Sequence, residues 1–226
     1  MTVDQRIAGR FAIASGIVTI AAAVVLVIFF LVEAPALVES GNVDRITVFG
    51  STNDALIAVA LLLLSPVALF VARVGEPRQL QQVAGYGGLA GLGLGTVFMV
   101  TTALRVVDYG TNSILIGVAF VMVGAWLLAL NVPAGASVLF SRGARWAGIL
   151  AGLAFLSIGG FAAIAGPSAT ANPTGLMSSP ILVALLGLGT AGLHLATPVW
   201  AILTGRRWLA ADEGSAQDAP VGRSGG

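Results

Sequence analysis

Long apolar runs alternate with short polar or arginine-bearing segments along the whole chain. Six of them, residues 11–32, 55–72, 83–104, 113–130, 146–166 and 180–203, contain no Asp, Glu or Arg within those limits. A hydrocarbon layer about 30 Å thick takes roughly 20 residues at about 1.5 Å of rise each, so each run predicts a membrane-crossing helix. The pattern therefore predicts an all-α membrane protein, a bundle of six transmembrane helices. Residues 33–53 read as the one long connection on their side. The alternation around Ile46-Thr47-Val48-Phe49 is too short to predict a strand.

The arginines between the runs predict an orientation, because loops on the cytoplasmic side retain them. Arg6, Arg10, Arg73, Arg78, Arg142, Arg145, Arg206, Arg207 and Arg223 fall on one side, and only Arg45 and Arg105 on the other. This distribution predicts both termini in the cytoplasm. Ala34-Pro35-Ala36 resembles a small-residue cleavage site behind a basic flank. The 22 apolar residues before it, however, exceed a signal peptide's core of about 7 to 15, so a retained anchor is expected. Residues 1–207 read as the transmembrane domain. Residues 208–226 are small, polar and without periodicity, and read as a disordered cytoplasmic tail.

Composition agrees with the pattern. The chain is 57% hydrophobic and 9% charged, with a mean hydropathy of +0.97, against about a quarter charged in a soluble domain. A formal net charge of +1 with no basic run gives no reason to expect nucleic acid. Cysteine is absent and there is one histidine, which excludes disulfides and the usual zinc sets. No metal and no cofactor is expected. All eleven basic residues are arginine, a bias pointing to a bacterial source and hence to the bacterial cytoplasmic (inner) membrane.

The segment Gly85-Tyr86-Gly87-Gly88-Leu89-Ala90-Gly91-Leu92-Gly93-Leu94-Gly95 has the spacing of a dinucleotide loop. Such a loop needs an aqueous turn between strand and helix, whereas these glycines lie inside an apolar run. Gly87, Gly91 and Gly95 are four apart and predict a small-residue helix face that another backbone approaches closely. Gly148 and Gly152 repeat the spacing in the fifth run, and Gly187, Gly189 and Gly192 recur in the sixth. Three odd-numbered runs open alike, at Ile7-Ala8-Gly9, Val83-Ala84-Gly85 and Trp146-Ala147-Gly148. Two even-numbered runs share Ser65-Pro66-Val67 and Thr197-Pro198-Val199, each followed by arginine. These matches suggest three parallel two-helix hairpins. Pro66 and Pro198 are expected to kink their helices, with the Ser65 and Thr197 hydroxyls satisfying freed backbone groups.

Two polar groupings stand out. His194 lies inside the sixth run, about 21 Å from its outer end, with no carboxylate expected at its depth. Ser65, Thr197 or a backbone carbonyl are its expected partners in a candidate intramembrane site. Asn53, Asp54, Arg105 and Asp108 form a second candidate cluster, at the external interface, where Arg105 could bridge both carboxylates. No enzyme motif is present: there is no H-E-x-x-H, nucleophile elbow, P-loop or pair of intramembrane carboxylates, so no catalytic residue is assigned. The expectation is a non-enzymatic accessory, sensor or scaffold component whose partners are the bilayer and either further copies or another membrane protein. The alternative is a small transporter or channel with a polar element near His194.

The segments RIAGRFAIASG at 6–16, GVAFVMVGAWLLAL at 117–130 and SRGARWAGILAGLA at 141–154 resemble a group of bacterial six-helix integral membrane proteins classed as a domain of unknown function. Shared are the basic residue with Ala-Gly at the start, and the glycine-bearing fourth helix leading to an Arg-Trp opening of the fifth. The resemblance implies a six-helix membrane fold and carries no residue roles.

Overall fold

The computed structural model describes residues 3–40, 47–74, 79–107, 109–133, 139–169 and 179–217, and these are helical but for short turns. α1 (Val3–Ile28) passes through a π turn (Phe29–Glu33) into α2 (Ala34–Ser40). Then come α3 (Val48–Val74), α4 (Gln79–Ala103), α5 (Tyr109–Asn131), α6 (Arg142–Ala169) and α7 (Pro180–Gln217). Six helical segments are long and apolar enough to cross a membrane: Asp4–Leu37, Val48–Val74, Val83–Ala103, Asn112–Asn131, Arg142–Ala162 and Pro180–Ala211. Asp44, Arg45, Arg78, Asp108 and Arg223 lie outside the described residues, as do 218–226 of the expected tail.

Most helices run past their apolar runs, because hydropathy marks only the part that needs lipid while backbone pairing continues into the flanks. Two consequences correct the expected connections. The expected long loop is helical at both ends, through Ser40 and from Val48. The last helix reaches Gln217, well into the stretch expected to be a disordered tail, and Trp208 at the start of that stretch is buried within the bundle.

Pro35 accounts for the π turn. It offers no N–H to the Leu31 carbonyl and its ring crowds that group, so the helix widens just before it. The Ala34 N–H reaches back to the Phe29 carbonyl. The widened turn carries Glu33 to the start of α3, where its carboxylate accepts from the N–H groups of Val48 (2.7 Å), Phe49 (3.0 Å) and Gly50 (3.3 Å). These donors have no partner within their own helix, and the negative charge suits the positive end of the helix dipole.

The spans close a ring. Each packs against its sequence neighbours, and α1 closes against α7. Neighbours are antiparallel: at their crossings Gly88 meets Trp126, Gly91 meets Met122 and Gly95 nears Ala119, so numbers rise in α4 as they fall in α5. Packing is continuous around the ring and does not single out three hairpins. The inner face is apolar, including Ile57, Leu64, Leu92, Val123 and Phe155, and the outer face also exposes large apolar side chains such as Ile17, Leu62, Leu188 and Leu195. A helix apolar all round needs lipid on its outer side. Lipid offers no hydrophobic gain for helix association, so close backbone contact and hydrogen bonds carry more of the work. Ser15 Oγ donates to the Ala60 carbonyl at 2.9 Å between α1 and α3.

Glycines mark several crossings. A Cβ on Gly124 would lie 2.7 Å from the Gly152 carbonyl oxygen, and one on Gly205 would collide with that of Gly9. Gly148 faces the Asn131 side chain, Gly189 faces Ile158, and Gly192 faces Ala154. The expected stripe differs in one member: a Cβ on Gly87 would meet nothing within 4 Å, and Gly88 takes its place against Trp126. Gly187 likewise faces open space.

Candidate functional site

Within the ring lies a cavity of about 190 Å³ to which every span contributes. Leu26 comes from α1, Asn53, Asp54 and Ile57 from α3, Met99 and Thr102 from α4, and Ser113 and Phe120 from α5. Phe161 of α6 and Thr190 and His194 of α7 complete the wall. The cavity sits toward the ends of α3, α4 and α5 that lie away from Arg73 and Arg142. Asn53 is only about 8 Å from the start of α3, while His194 is about 21 Å from the start of α7. α7 therefore overhangs the short side of the rim.

This offset joins the two sequence groupings. His194 Nε2 lies 3.3 Å from Asn53 Oδ1, and Nδ1 lies 2.9 Å from the Thr190 carbonyl oxygen. The Asn53 side chain in turn hydrogen-bonds the Asp54 carboxylate, and Arg105 acts on that carboxylate electrostatically. The expectation that His194 has no carboxylate near its depth is thus corrected: Asp54 lines the same cavity. The expected partners are corrected as well. Ser65 lies about 18 Å farther along α3 than Asn53, at a different depth. Thr197 is buried and its Oγ1 has no hydrogen-bond partner among the described residues, so it does not satisfy a backbone group freed by Pro198. Arg105 and Asp54 make no ion pair within 4 Å among the described residues, and Asp108 lies outside them.

The hydrogen bonds constrain the ring. The Thr190 carbonyl only accepts, so Nδ1 carries a hydrogen. A neutral ring then offers a lone pair at Nε2, which Asn53 meets by presenting its NH2, whereas a doubly protonated ring takes the Asn53 oxygen instead. The bond from the Asn53 amide N–H to the Asp54 carboxylate keeps its oxygen turned toward His194 Nε2, the arrangement found.

At the rim, Asn112 ties α4 to α5. Its Nδ2 donates to the Phe98 carbonyl at 3.0 Å and also meets Thr102 Oγ1, while Thr101 Oγ1 donates to its Oδ1 at 3.3 Å. The α4 C-terminus closes with Val106 N–H on the Thr101 carbonyl and Arg105 N–H on the Thr102 carbonyl, both at 3.0 Å, placing Arg105 in the left-handed region at φ 54°.

Toward the arginine-bearing end the ring interior is filled by aromatics. Phe120 and Phe155 meet edge to face at 5.2 Å, Trp126 and Trp200 at 5.9 Å, and Phe70 and Trp208 at 4.9 Å. Phe140 packs against both Trp200 and Trp208. Trp200 Nε1 donates to Asn131 Oδ1 at 3.3 Å and Trp208 Nε1 to the Leu139 carbonyl at 2.9 Å. Sequence reading missed this plug and its buried Asn131. The usable signal was a polar amide at the edge of an apolar run, with tryptophans recurring on the last helix. Among the described residues no group of three or more His, Asp or Glu is placed to hold a metal.

No family model, curated protein or solved structure matches the chain, so the resemblance to the bacterial six-helix group rests on the residues quoted for it alone.

Proposed function

We propose that the chain is a non-enzymatic membrane component of the sensor or accessory kind, which receives a small amphipathic molecule in the cavity beside His194. One observation carries this reading: the cavity is lined from all six spans, and the aromatic plug fills the ring beyond it. Such a chamber is built to hold rather than to pass. Its wall is mostly apolar, with His194, Asn53, Asp54, Thr102 and Ser113 as polar points, which suits an occupant with an apolar body and a donor-rich or cationic head. The occupant touches every span, so its binding is placed to alter packing around the whole ring.

The arginine distribution supports a bacterial inner-membrane protein with both termini cytoplasmic and the cavity toward the outer face. The close crossings at Gly9, Gly124, Gly152 and Gly205 support bundle packing through small-residue faces. The bilayer is its environment, and further copies or another membrane protein are the partners through which a sensor or accessory component would act.

The test is native mass spectrometry of the protein in nanodiscs, alongside solute and proton flux in reconstituted vesicles. The expected result is a small molecule bound at one per chain and weakened by Asn53→Ala, with no flux by the protein alone. Flux that depends on His194 would overturn the reading in favour of a transporter. That second reading is favoured by the linked His194, Asn53 and Asp54 side chains within one chamber.

A further inference from the structure

A second site lies at the opposite end of the bundle, on its outer surface. There Arg142, Arg145 and Arg207 meet Trp146, Phe140 and Ile149 around a groove of about 540 Å³, and no carboxylate lines it among the described residues. Residues 134–138, which join Pro133 to Leu139 in the sequence, include no acidic residue.

Arg145 is held in place. Its Nε donates to the Asn131 carbonyl at 3.1 Å, and one terminal nitrogen donates to those of Val132 (3.3 Å) and Pro133 (3.2 Å). These bonds complete the exposed carbonyl end of α5. A guanidinium has five N–H donors, so the other terminal nitrogen keeps two without an acceptor among the described residues. The group is fixed beforehand and still has donors to give. Arg142, exposed at the start of α6, adds a second charge to the same groove.

Trp146 is 60% exposed, whereas Trp126, Trp200 and Trp208 are 2% exposed or less. An exposed tryptophan near the start of a spanning helix marks the headgroup level. Leu150 and Leu153 are also exposed and continue its face toward the hydrocarbon. The arginine-lined groove thus adjoins an apolar track.

We propose that this groove binds the phosphate-bearing headgroup of an anionic phospholipid, with an acyl chain lying along the face of Trp146, Leu150 and Leu153. The planar guanidinium fork matches phosphate oxygens, and the clustered charge favours a lipid with net negative charge over a zwitterionic one. The apolar track distinguishes a lipid from a free anion.

Because Trp146 is the one exposed tryptophan, brominated lipids report on its neighbours selectively. The protein is reconstituted in phosphatidylcholine vesicles containing brominated phosphatidylglycerol or, at equal mole fraction, brominated phosphatidylcholine. The expected result is a several-fold preference of the quenched site for phosphatidylglycerol, lost in Trp146→Phe and sharply reduced in Arg142→Gln. Among the described residues the Arg142 side chain makes no hydrogen bond or ion pair, so that variant is expected to keep the fold. Equal quenching by the two lipids, or a preference unchanged in Arg142→Gln, overturns the proposal. In detergent, phosphatidylglycerol is expected to raise the unfolding midpoint where inorganic phosphate does not. An equal rise with phosphate assigns the groove to a soluble anion and overturns the lipid site.

Discussion

Arg105 holds a left-handed backbone angle that side chains with a Cβ adopt at a cost of about 1–2 kcal/mol, and glycine at almost none. The cost is tolerated because the turn satisfies two carbonyls at the end of α4 and brings a positive charge near Asp54. Replacing Arg105 by glycine and, separately, by alanine removes the charge in both cases and leaves only the backbone difference. The glycine variant is expected to be more stable than the alanine variant by about 1 kcal/mol in reversible unfolding in mixed micelles. At this scale the sequence was partly legible. His194 is conspicuous by type, and Asn53, Asp54 and Arg105 by being polar beside apolar runs. That His194, Asn53 and Asp54 share one chamber was not legible, because the relative depth of α3 and α7, which run the same way on either side of α1, depends on where each begins. The start of α3 is set by Glu33, fifteen positions before Val48, through a π turn that no hydropathy window detects.

Among the elements, α5 and α6 cross where glycine backbones face each other. Alanine at Gly124 would press its methyl to 2.7 Å from the Gly152 carbonyl, and a backbone atom cannot swing away. Gly124→Ala is expected to destabilise the bundle by about 1–3 kcal/mol, the usual cost of overpacking. Gly87→Ala, with nothing within 4 Å, is the matched control and is expected to lose nothing in the same unfolding measurement. Spacing alone marks a small-residue face but not its direction. The run 85–95 is so rich in glycine that two registers fit it, and the bulk of Trp126, accommodated only opposite Gly88, fixes the one adopted. The six apolar runs, by contrast, were plain from pattern, since a bilayer demands length and hydrophobicity from every crossing segment regardless of what it touches.

For the molecule as a whole, the proposed orientation makes a separate prediction. Reporters fused after Ala134 and after Thr170 are expected to give cytoplasmic and external signals respectively, and the reverse pattern would place the chamber on the cytoplasmic side. Ring closure was beyond pattern reading, because nothing in the hydropathy of α1 or α7 says that they touch. The closing seam joins α1 to α7, with Gly9 against Gly205 and Gly16 against Ile202. Synthesis runs from α1 to α7, so the ring partner that α1 and α6 share is made after both of them. Every nascent copy therefore holds α1 for the time it takes to make the spans between before α7 can cover its flank.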